Sequence, residues 1–212
     1  FTHQILYQVA QNTPGVFPDL AYLPPKSDAE LFNKGQVPWL LGTQTKFGPE
    51  AFDVIGFSNS IVQELLNLVP FLKNSGIPLN KSERMKRADL PLILMGGANA
   101  LYSSSIWTEE PPVDGIFVGE NDQAIRKILM ICRESKLKNI SKEMTLQLLE
   151  AVPGFFQPDK LKGTKKNFIM NLNQSEALEN GPVYYIEDQL GSSHLQISEG
   201  CPCFCSFCAE SW

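Results

Sequence analysis

Three short apolar runs, each followed by a turn, most constrain the fold of this 212-residue chain. Residues 53–58, 90–95 and 114–118 are almost continuously apolar, as strands covered by helices on both faces tend to be. Helical patterns follow the first and third runs, over residues 60–76 and 122–133. This alternation predicts an open, mostly parallel α/β sheet with flanking helices.

Further elements are predicted before and between these strands. Apolar spacing indicates a helix over residues 2–12, then an extended apolar segment over residues 16–23. A capped helix is predicted to begin at Ser27, and residues 37–45 form a candidate edge strand. Ser60 and Gln63 have the spacing of a capping box, and we expect Pro70 to kink or interrupt the helix that follows.

After the third strand, the pattern predicts a helix over residues 141–151 and a short strand-like element over residues 152–156. Residues 158–180 contain several lysines and little apolar periodicity, which is typical of a linker or surface insertion. Residues 183–186 and 194–198 are candidate short strands. We interpret the basic segment 81–87 as a solvated loop.

Polar or glycine-rich turns follow the three strands, at residues 58–60, 96–99 and 119–121. Ligands on open α/β sheets bind beyond the carboxyl ends of the strands, and free N–H groups at helix N-termini attract anions. These turns are therefore candidates for cofactor contact. A purely architectural role as tight strand-to-helix turns is an equal alternative, because short glycine motifs are weak evidence alone.

Four of the five cysteines lie between residues 201 and 208. Cys201, Cys205 and Cys208 follow the spacing C-x3-C-x2-C, so three thiolates from one loop could hold three irons of a cubane and leave the fourth iron open. Cys203 lies inside this loop, and we interpret it as a non-ligand. Structural zinc and disulfides are weaker alternatives, since no second cysteine pair is present and the chain is long enough for an ordinary core. Cys132 lies on the apolar stripe of its helix and is predicted to be a buried structural thiol.

The CxxxCxxC spacing, with Phe207 directly before the third cysteine, resembles the radical S-adenosylmethionine (radical SAM) superfamily. This resemblance implies that Cys201, Cys205 and Cys208 ligate a [4Fe-4S] cluster, that S-adenosylmethionine binds the open iron, and that Phe207 lies near the adenine. It also implies reductive cleavage to a 5′-deoxyadenosyl radical, with a reductant such as flavodoxin or ferredoxin. The substrate, a small molecule or a protein, is not indicated.

The three turns resemble the GxS, GG and GE turns of the cobalamin-binding domain that precedes many radical SAM barrels. The resemblance implies a flavodoxin-like (Rossmann-type) domain in which Ser58, Gly96 and Gly97 face the nucleotide tail of cobalamin. The strand that carries the family's cobalt-ligating DxHxxG motif is missing here, and His3 lacks that motif. Cobalamin is thus a candidate cofactor without an assigned cobalt ligand.

The resulting organisation has three parts. Residues 1–152 form the cobalamin-binding-like α/β domain without its first strand, residues 153–190 are a linker or insertion, and residues 191–212 are the first strand and cluster loop of a truncated radical SAM (β/α) barrel. Both ends look cut, so the chain is expected to be a fragment that is inactive alone. The rival function is a non-catalytic cobalamin- or nucleotide-binding sensor module with an electron-transfer or regulatory iron–sulfur cluster.

The net charge of −5 gives no basic footprint for nucleic acid or anionic lipid. No apolar run approaches the length of a membrane span, and no secretory signal is recognisable at the N-terminus. We therefore expect a cytoplasmic protein that acts on a small molecule or a protein. Glu199, Glu210 and His194 flank the cysteine loop or its preceding strand, and their default interpretation is as ordinary solvated or packed groups.

Overall fold

A computed structural model describes residues 2–104, 107, 109–160, 163–169, 203, 205 and 206. Its strands are β1 (Val54–Ser58), β2 (Leu92–Gly96), β3 (Gly115–Phe117), β4 (Gly119–Glu120), β5 (Phe155–Phe156) and β6 (Asn167–Phe168). Its helices are α1 (Thr2–Gln11), α2 (Lys26–Lys34), α3 (Leu65–Asn74), α4 (Lys81–Met85), α5 (Ala100–Ser104), α6 (Asp122–Leu137) and α7 (Lys142–Leu149).

The main sheet has the order β1-β2-β3-β5. β1 pairs with β2 and β2 pairs with β3 in parallel, whereas β5 is antiparallel to β3. A second, two-stranded sheet pairs β4 with β6 in parallel. The predicted mostly parallel, flavodoxin-like α/β architecture is confirmed. The predicted barrel strand over residues 194–198 and the candidate strand over residues 183–186 lie outside the described residues.

Both faces of the sheet are covered, which explains the continuously apolar sequence of β2. Ile93 and Met95 belong to a core cluster with α3, and Leu92 belongs to a second cluster with α6 and α7. Successive side chains of a strand point to opposite faces, so a strand between two layers needs apolar residues at every position.

β1 is the edge strand of the described sheet, and the expectation that it is strongly buried is wrong. Four of its residues are half-buried and Gly56 is exposed. β1 has a hydrogen-bonded strand partner on one side only, namely β2, so its apolar side chains receive less cover than those of β2.

Residues 16–23 and 37–45 form no strands, which corrects two predictions. The Asp19 carboxylate accepts hydrogen bonds from the backbone N–H of Gln44 (Oδ1, 3.0 Å) and of Thr45 (Oδ2, 3.0 Å). The Thr45 hydroxyl donates to Oδ2 at 2.7 Å. These N–H groups of the loop are thus hydrogen-bonded to a side chain rather than to a neighbouring strand.

The start of α3 differs from the predicted capping box of Ser60 and Gln63. Glu64 is the residue whose carboxylate accepts from the backbone N–H of Ser60 (2.6 Å) and of Ile61 (3.1 Å). A 3-10 turn over Val62–Glu64 follows, and α3 begins at Leu65. The helix does not stop at Pro70, because proline removes only one helical N–H and the following turn is anchored in the core by Phe71 and Leu72.

The basic segment 81–87 is not a solvated loop. Residues Lys81–Met85 form α4, and the Arg84 side chain is fully buried. Arg84 donates from Nη1 to the carbonyl of Pro78 (2.9 Å) and from Nη2 to that of Pro111 (2.9 Å). Nη2 also donates to Asp114 Oδ1 at 2.7 Å. The charge is buried because the guanidinium finds acceptors there, which no sequence pattern predicts.

Residues 153–190, expected to be a linker or insertion, include two strands that join the α/β body. β5 pairs with β3, and β6 pairs with β4. β5 lies within the strand-like element predicted over residues 152–156, whereas β6, with two residues, is too short to show a periodic pattern in sequence. In the part of the chain that the structure covers, no helix combines the length and apolar character that crossing a bilayer requires.

Candidate functional site

The three turns singled out in the sequence lie at one edge of the sheet. β1, β2 and β3 run in parallel, so the residues that follow them lie beyond the same carboxyl edge. Ser58 and Gly96 are partners in the register of β1 and β2, which brings the first two turns side by side. This edge is where open α/β sheets bind ligands.

Asn59 joins the first turn to the second. Its N–H donates to the carbonyl of Gly96 (2.7 Å), and its carbonyl accepts from the N–H of Asn99 (3.0 Å). Its side chain is also occupied, since Oδ1 accepts from the Ser103 hydroxyl (2.8 Å) and Nδ2 donates to the carbonyl of Ile61 (3.0 Å). Asn59 is buried and was not identified as important from the sequence, where it looks like any polar turn residue.

Gly97 has a packing role at this contact. Its φ of +106° is in the region that favours glycine, and an added Cβ would lie 2.5 Å from the carbonyl oxygen of Asn59. A Cβ on Gly96 would make only an ordinary contact, 3.6 Å from the carbonyl oxygen of Phe117. The close approach of the first two turns thus explains why residue 97 is a glycine. Contact between Gly97 and the nucleotide tail of cobalamin stays a prediction.

The first turn offers few free donors to an anion. The Ser58 and Ser60 hydroxyls lie 3.4 Å apart, while Glu64 accepts from the backbone N–H of Ser60 and of Ile61. A carboxylate therefore already holds the N–H groups that a phosphate at a helix N-terminus would bind. The expectation of free N–H donors is wrong at this turn.

The third turn is covered by β6. Gly119 has a φ of +153°, and an added Cβ would collide with the backbone of Asn167. The Asn167 side chain accepts from Asn121 Nδ2 (2.9 Å) and donates to the carbonyl of Pro153 (2.8 Å). Asn121 caps α6 by accepting from the N–H of Ala124 (3.1 Å). Glu120 is exposed beside this cap.

The structure describes the side chains of two cysteines of the cysteine loop. Cys203 is exposed and Cys205 is partly buried, and neither is in a disulfide. The other predicted site residues of this loop, Cys201, Phe207 and Cys208, lie outside the described residues. Within the described ranges, no group of three or more His, Cys, Asp or Glu side chains is arranged to hold a metal ion.

Cys132 is buried on α6, as predicted for a structural thiol. Burial, reinforced by the nearby charge of Asp53, raises the pKa of its thiol to about 12. At neutral pH the group is protonated, so it is a poor nucleophile and a poor metal ligand.

A pocket beside β5 is lined by apolar side chains and by several charged or polar ones, of which Glu150, Gln157 and Lys160 bind one another. Glu150 Oε1 accepts from Lys160 Nζ (2.9 Å) and from Gln157 Nε2 (2.5 Å). Lys81 Nζ in turn donates to Gln157 Oε1 (2.9 Å) and to Asp159 Oδ1 (2.5 Å). The network closes the chain onto α4 and α7 and is structural in character.

Comparison with known protein families gives one match. The family model described as the N-terminal region of radical SAM proteins matches residues 2–158, which include the whole four-stranded sheet. No curated protein and no solved structure matches the chain.

Proposed function

The chain belongs to the radical SAM proteins, and from this premise we propose that it is the front part of an enzyme that binds a [4Fe-4S] cluster and reductively cleaves S-adenosylmethionine. The observation that carries the proposal is the spacing of Cys201, Cys205 and Cys208 downstream of the matched N-terminal region. Family membership and the motif are independent, because the match ends at residue 158, before the four clustered cysteines.

In this proposal, Cys201, Cys205 and Cys208 would be the protein ligands of the cluster, and S-adenosylmethionine would bind beside it. Phe207 packs beside the adenine. When bound, the cluster would pass on one electron from the reductant, which would cleave S-adenosylmethionine to methionine and a 5′-deoxyadenosyl radical. The exposure of Cys203 and the partial burial of Cys205 support a non-ligand and a ligand role, respectively. A flavodoxin or ferredoxin is the proposed reductant.

We propose the following division of the chain. Residues 1–152 form the α/β domain, residues 153–190 connect it to the barrel, and residues 191–212 begin the barrel and carry the cluster loop. The pairing of β5 and β6 with the α/β domain indicates that the first part of the connection is folded against that domain. Cysteines that serve a cluster rather than disulfides suit a reducing compartment, which supports a cytoplasmic location.

The described turns do not fit cobalamin well. Glu64 occupies the N–H groups of Ser60 and Ile61, and Gly97 packs on Asn59 instead of lining an open cradle. Ser58 and Gly96 are half-buried at the same edge. We derive no step through cobalamin for this chain, and the proposed cleavage of S-adenosylmethionine does not need one.

The experiment is anaerobic expression of the complete gene product, followed by reduction with dithionite and an assay for 5′-deoxyadenosine. Cys205→Ala is expected to abolish both the brown colour and the product. Cys203→Ala is the matched control, two residues away, and is expected to retain both. An exchange of these two outcomes would contradict the ligand assignment.

The same samples distinguish the proposed enzyme from the rival sensor module. A sensor module with a regulatory or electron-transfer cluster would be brown and redox-active but would leave S-adenosylmethionine intact. A colourless, zinc-loaded protein would contradict both functions.

A further inference from the structure

The carboxyl edge of the sheet has an apolar surface that the described helices and strands leave exposed. On the first residues after β1 and on α3, the exposed fractions are 55% for Ile61, 59% for Val62 and 77% for Leu66. Val69 continues this stripe along α3, since residues three and four apart share one face of a helix. We call these four residues the edge surface.

α5 extends the edge surface beyond β2. The N–H of Asn99 donates to the carbonyl of Asn59, and the Ser103 hydroxyl donates to Asn59 Oδ1 at 2.8 Å. These bonds hold the start of α5 against the first turn, and Leu101, which lies between them, is exposed. Singly exposed apolar residues are ordinary, but several adjoining ones mark a surface that another element covers.

The described chain leaves the α/β body at this same edge. β4 begins two residues after β3 ends and pairs with β6, so the last described strand lies near the carboxyl end of β3. Neighbouring strands are about 4.8 Å apart, which puts β1 roughly 10 Å across the sheet from β3, the strand that leads into β4 and its partner β6. An extended chain of 14 residues, from Ile169 to Val183, reaches up to ~45 Å. The distance is therefore easily spanned.

The sequence that follows has suitable side chains to cover the edge surface. Residues 183–186 read Val-Tyr-Tyr-Ile, the most apolar run between Ile169 and the cysteines. Residues 170–200 contain no lysine or arginine but five carboxylates, two of which directly follow the run. The run 183–186 itself is uncharged, so it can be buried without the desolvation of a charge.

We propose that residues 170–200 dock on the edge surface, with the run 183–186 against Leu66 and Val62, and so fix the cysteine loop relative to the carboxyl edge of the sheet. The burial of aliphatic side chains on both partners drives the contact. This docking does not require a bound cluster, so its test is independent of the proposed chemistry.

The test uses the 212-residue chain with a photo-reactive residue, as Leu66→p-benzoylphenylalanine and separately as Val62→p-benzoylphenylalanine. Both side chains point into solvent, so the larger group needs no space in the core. Mass spectrometry is expected to find cross-links to peptides within residues 170–200 of the same molecule. Leu137→p-benzoylphenylalanine, on an exposed residue at the far end of α6, is the matched control and should give at least fivefold less of these products.

Mixing isotopically light and heavy chains separates contacts within a chain from those between chains. Cross-links between light and heavy chains would show that a second copy covers the surface and would overturn the proposal. Cross-links to other segments, or none above the Leu137 control at either position, would overturn it as well.

A second measurement uses proteolysis. Leu66→Glu puts a charge into the proposed contact and is expected to speed chymotryptic cleavage after Tyr184 or Tyr185 about tenfold. Leu137→Glu is the control and should leave the cleavage rate unchanged. Equal cleavage rates in the two variants would contradict the docking.

Discussion

Arg84 and Asp114 form an ion pair with no solvent exposure, in which Nη2 and Nε of Arg84 donate to Asp114 Oδ1 at 2.7 and 3.0 Å. Asp114 Oδ2 accepts from the N–H of Ile93 at 2.7 Å. The pair thus ties α4 to the beginnings of β2 and β3, at the edge of the sheet opposite the candidate site. Burial raises the pKa of the Asp114 carboxyl, while the charge and hydrogen bonds of Arg84 act in the opposite direction.

Removing Arg84 should destabilise the domain strongly. Arg84→Met leaves Asp114 buried without its partner, and such losses cost about 3–5 kcal/mol in the free energy of unfolding. Urea unfolding followed by circular dichroism measures the change. Arg87→Met is the control, since its pair with Asp89 is exposed on both sides. A similar loss in the free energy of unfolding for Arg84→Met and Arg87→Met would contradict a structural role for the buried pair.

Gly97→Ala should destabilise the carboxyl edge. The substitution forces a left-handed φ on alanine and puts its Cβ against the Asn59 backbone, which costs about 1–3 kcal/mol. Gly56→Ala is the control, because an added Cβ there meets nothing within 4 Å. Thermal unfolding measures the stability of both variants. An equally large loss of stability in Gly56→Ala would show that the packing of Gly97 against Asn59 does not matter.

The loop held by Asp19 should weaken in acid. Partial burial alone would raise the pKa of Asp19, but hydrogen bonds from Thr45 and Gln44 lower it to about 2. A depressed pKa means that the carboxylate stabilises the fold above its unfolded pKa of about 3.9, and that this contribution is lost as the pH falls towards 2. Unfolding curves between pH 6 and 2 should show a smaller pH dependence for Asp19→Asn than for the parent chain.

Comparison of the parent chain with Asp19→Asn also cancels the pH dependence that other carboxyl groups contribute to stability. Asp89 has a pKa of about 2 and titrates in the same window, but it is unchanged in both proteins. Identical pH profiles for the parent and Asp19→Asn would contradict the assigned hydrogen bonds.

Thiol reactivity should separate the buried and exposed cysteines. In the folded chain without metal, iodoacetamide at pH 8 is expected to label exposed Cys203 at least ~100-fold faster than Cys132, whose thiol is buried and protonated. Peptide mass spectrometry gives both rates. The two labelling rates should become similar only after urea unfolds the chain. Equal labelling of Cys132 and Cys203 in the native protein would contradict the packing of α6.

The sequence predicts those elements that bury apolar side chains in a regular pattern. β2, α6 and α7 follow from periodicity, and the N-caps of α6 and α7 accept from main-chain N–H groups as turn-forming Asn and Ser do. The edge position of β1 could not be predicted, because an edge strand and a central one have similar composition here. β4 and β6 are too short for any pattern.

Two of the errors share one physical cause, which is long-range pairing of polar groups. Asp19 satisfies a loop about 25 residues away, and Arg84 meets Asp114 across 30 residues. A third error is local: Glu64 replaces the expected Gln63 because the helical turn begins one residue later, with Ile61 rather than Ser60 as its N-cap. Composition and spacing contain no information on such partners until the sheet brings them together.

The central claim is that three cysteines hold a four-iron cluster with one iron open to S-adenosylmethionine. The most direct measurement is Mössbauer spectroscopy of the anaerobically reconstituted, ⁵⁷Fe-labelled protein before and after addition of S-adenosylmethionine. We predict a [4Fe-4S]²⁺ spectrum in which one iron of the four changes its parameters when S-adenosylmethionine binds. A spectrum without a four-iron cluster, or one in which no iron responds, would contradict the account.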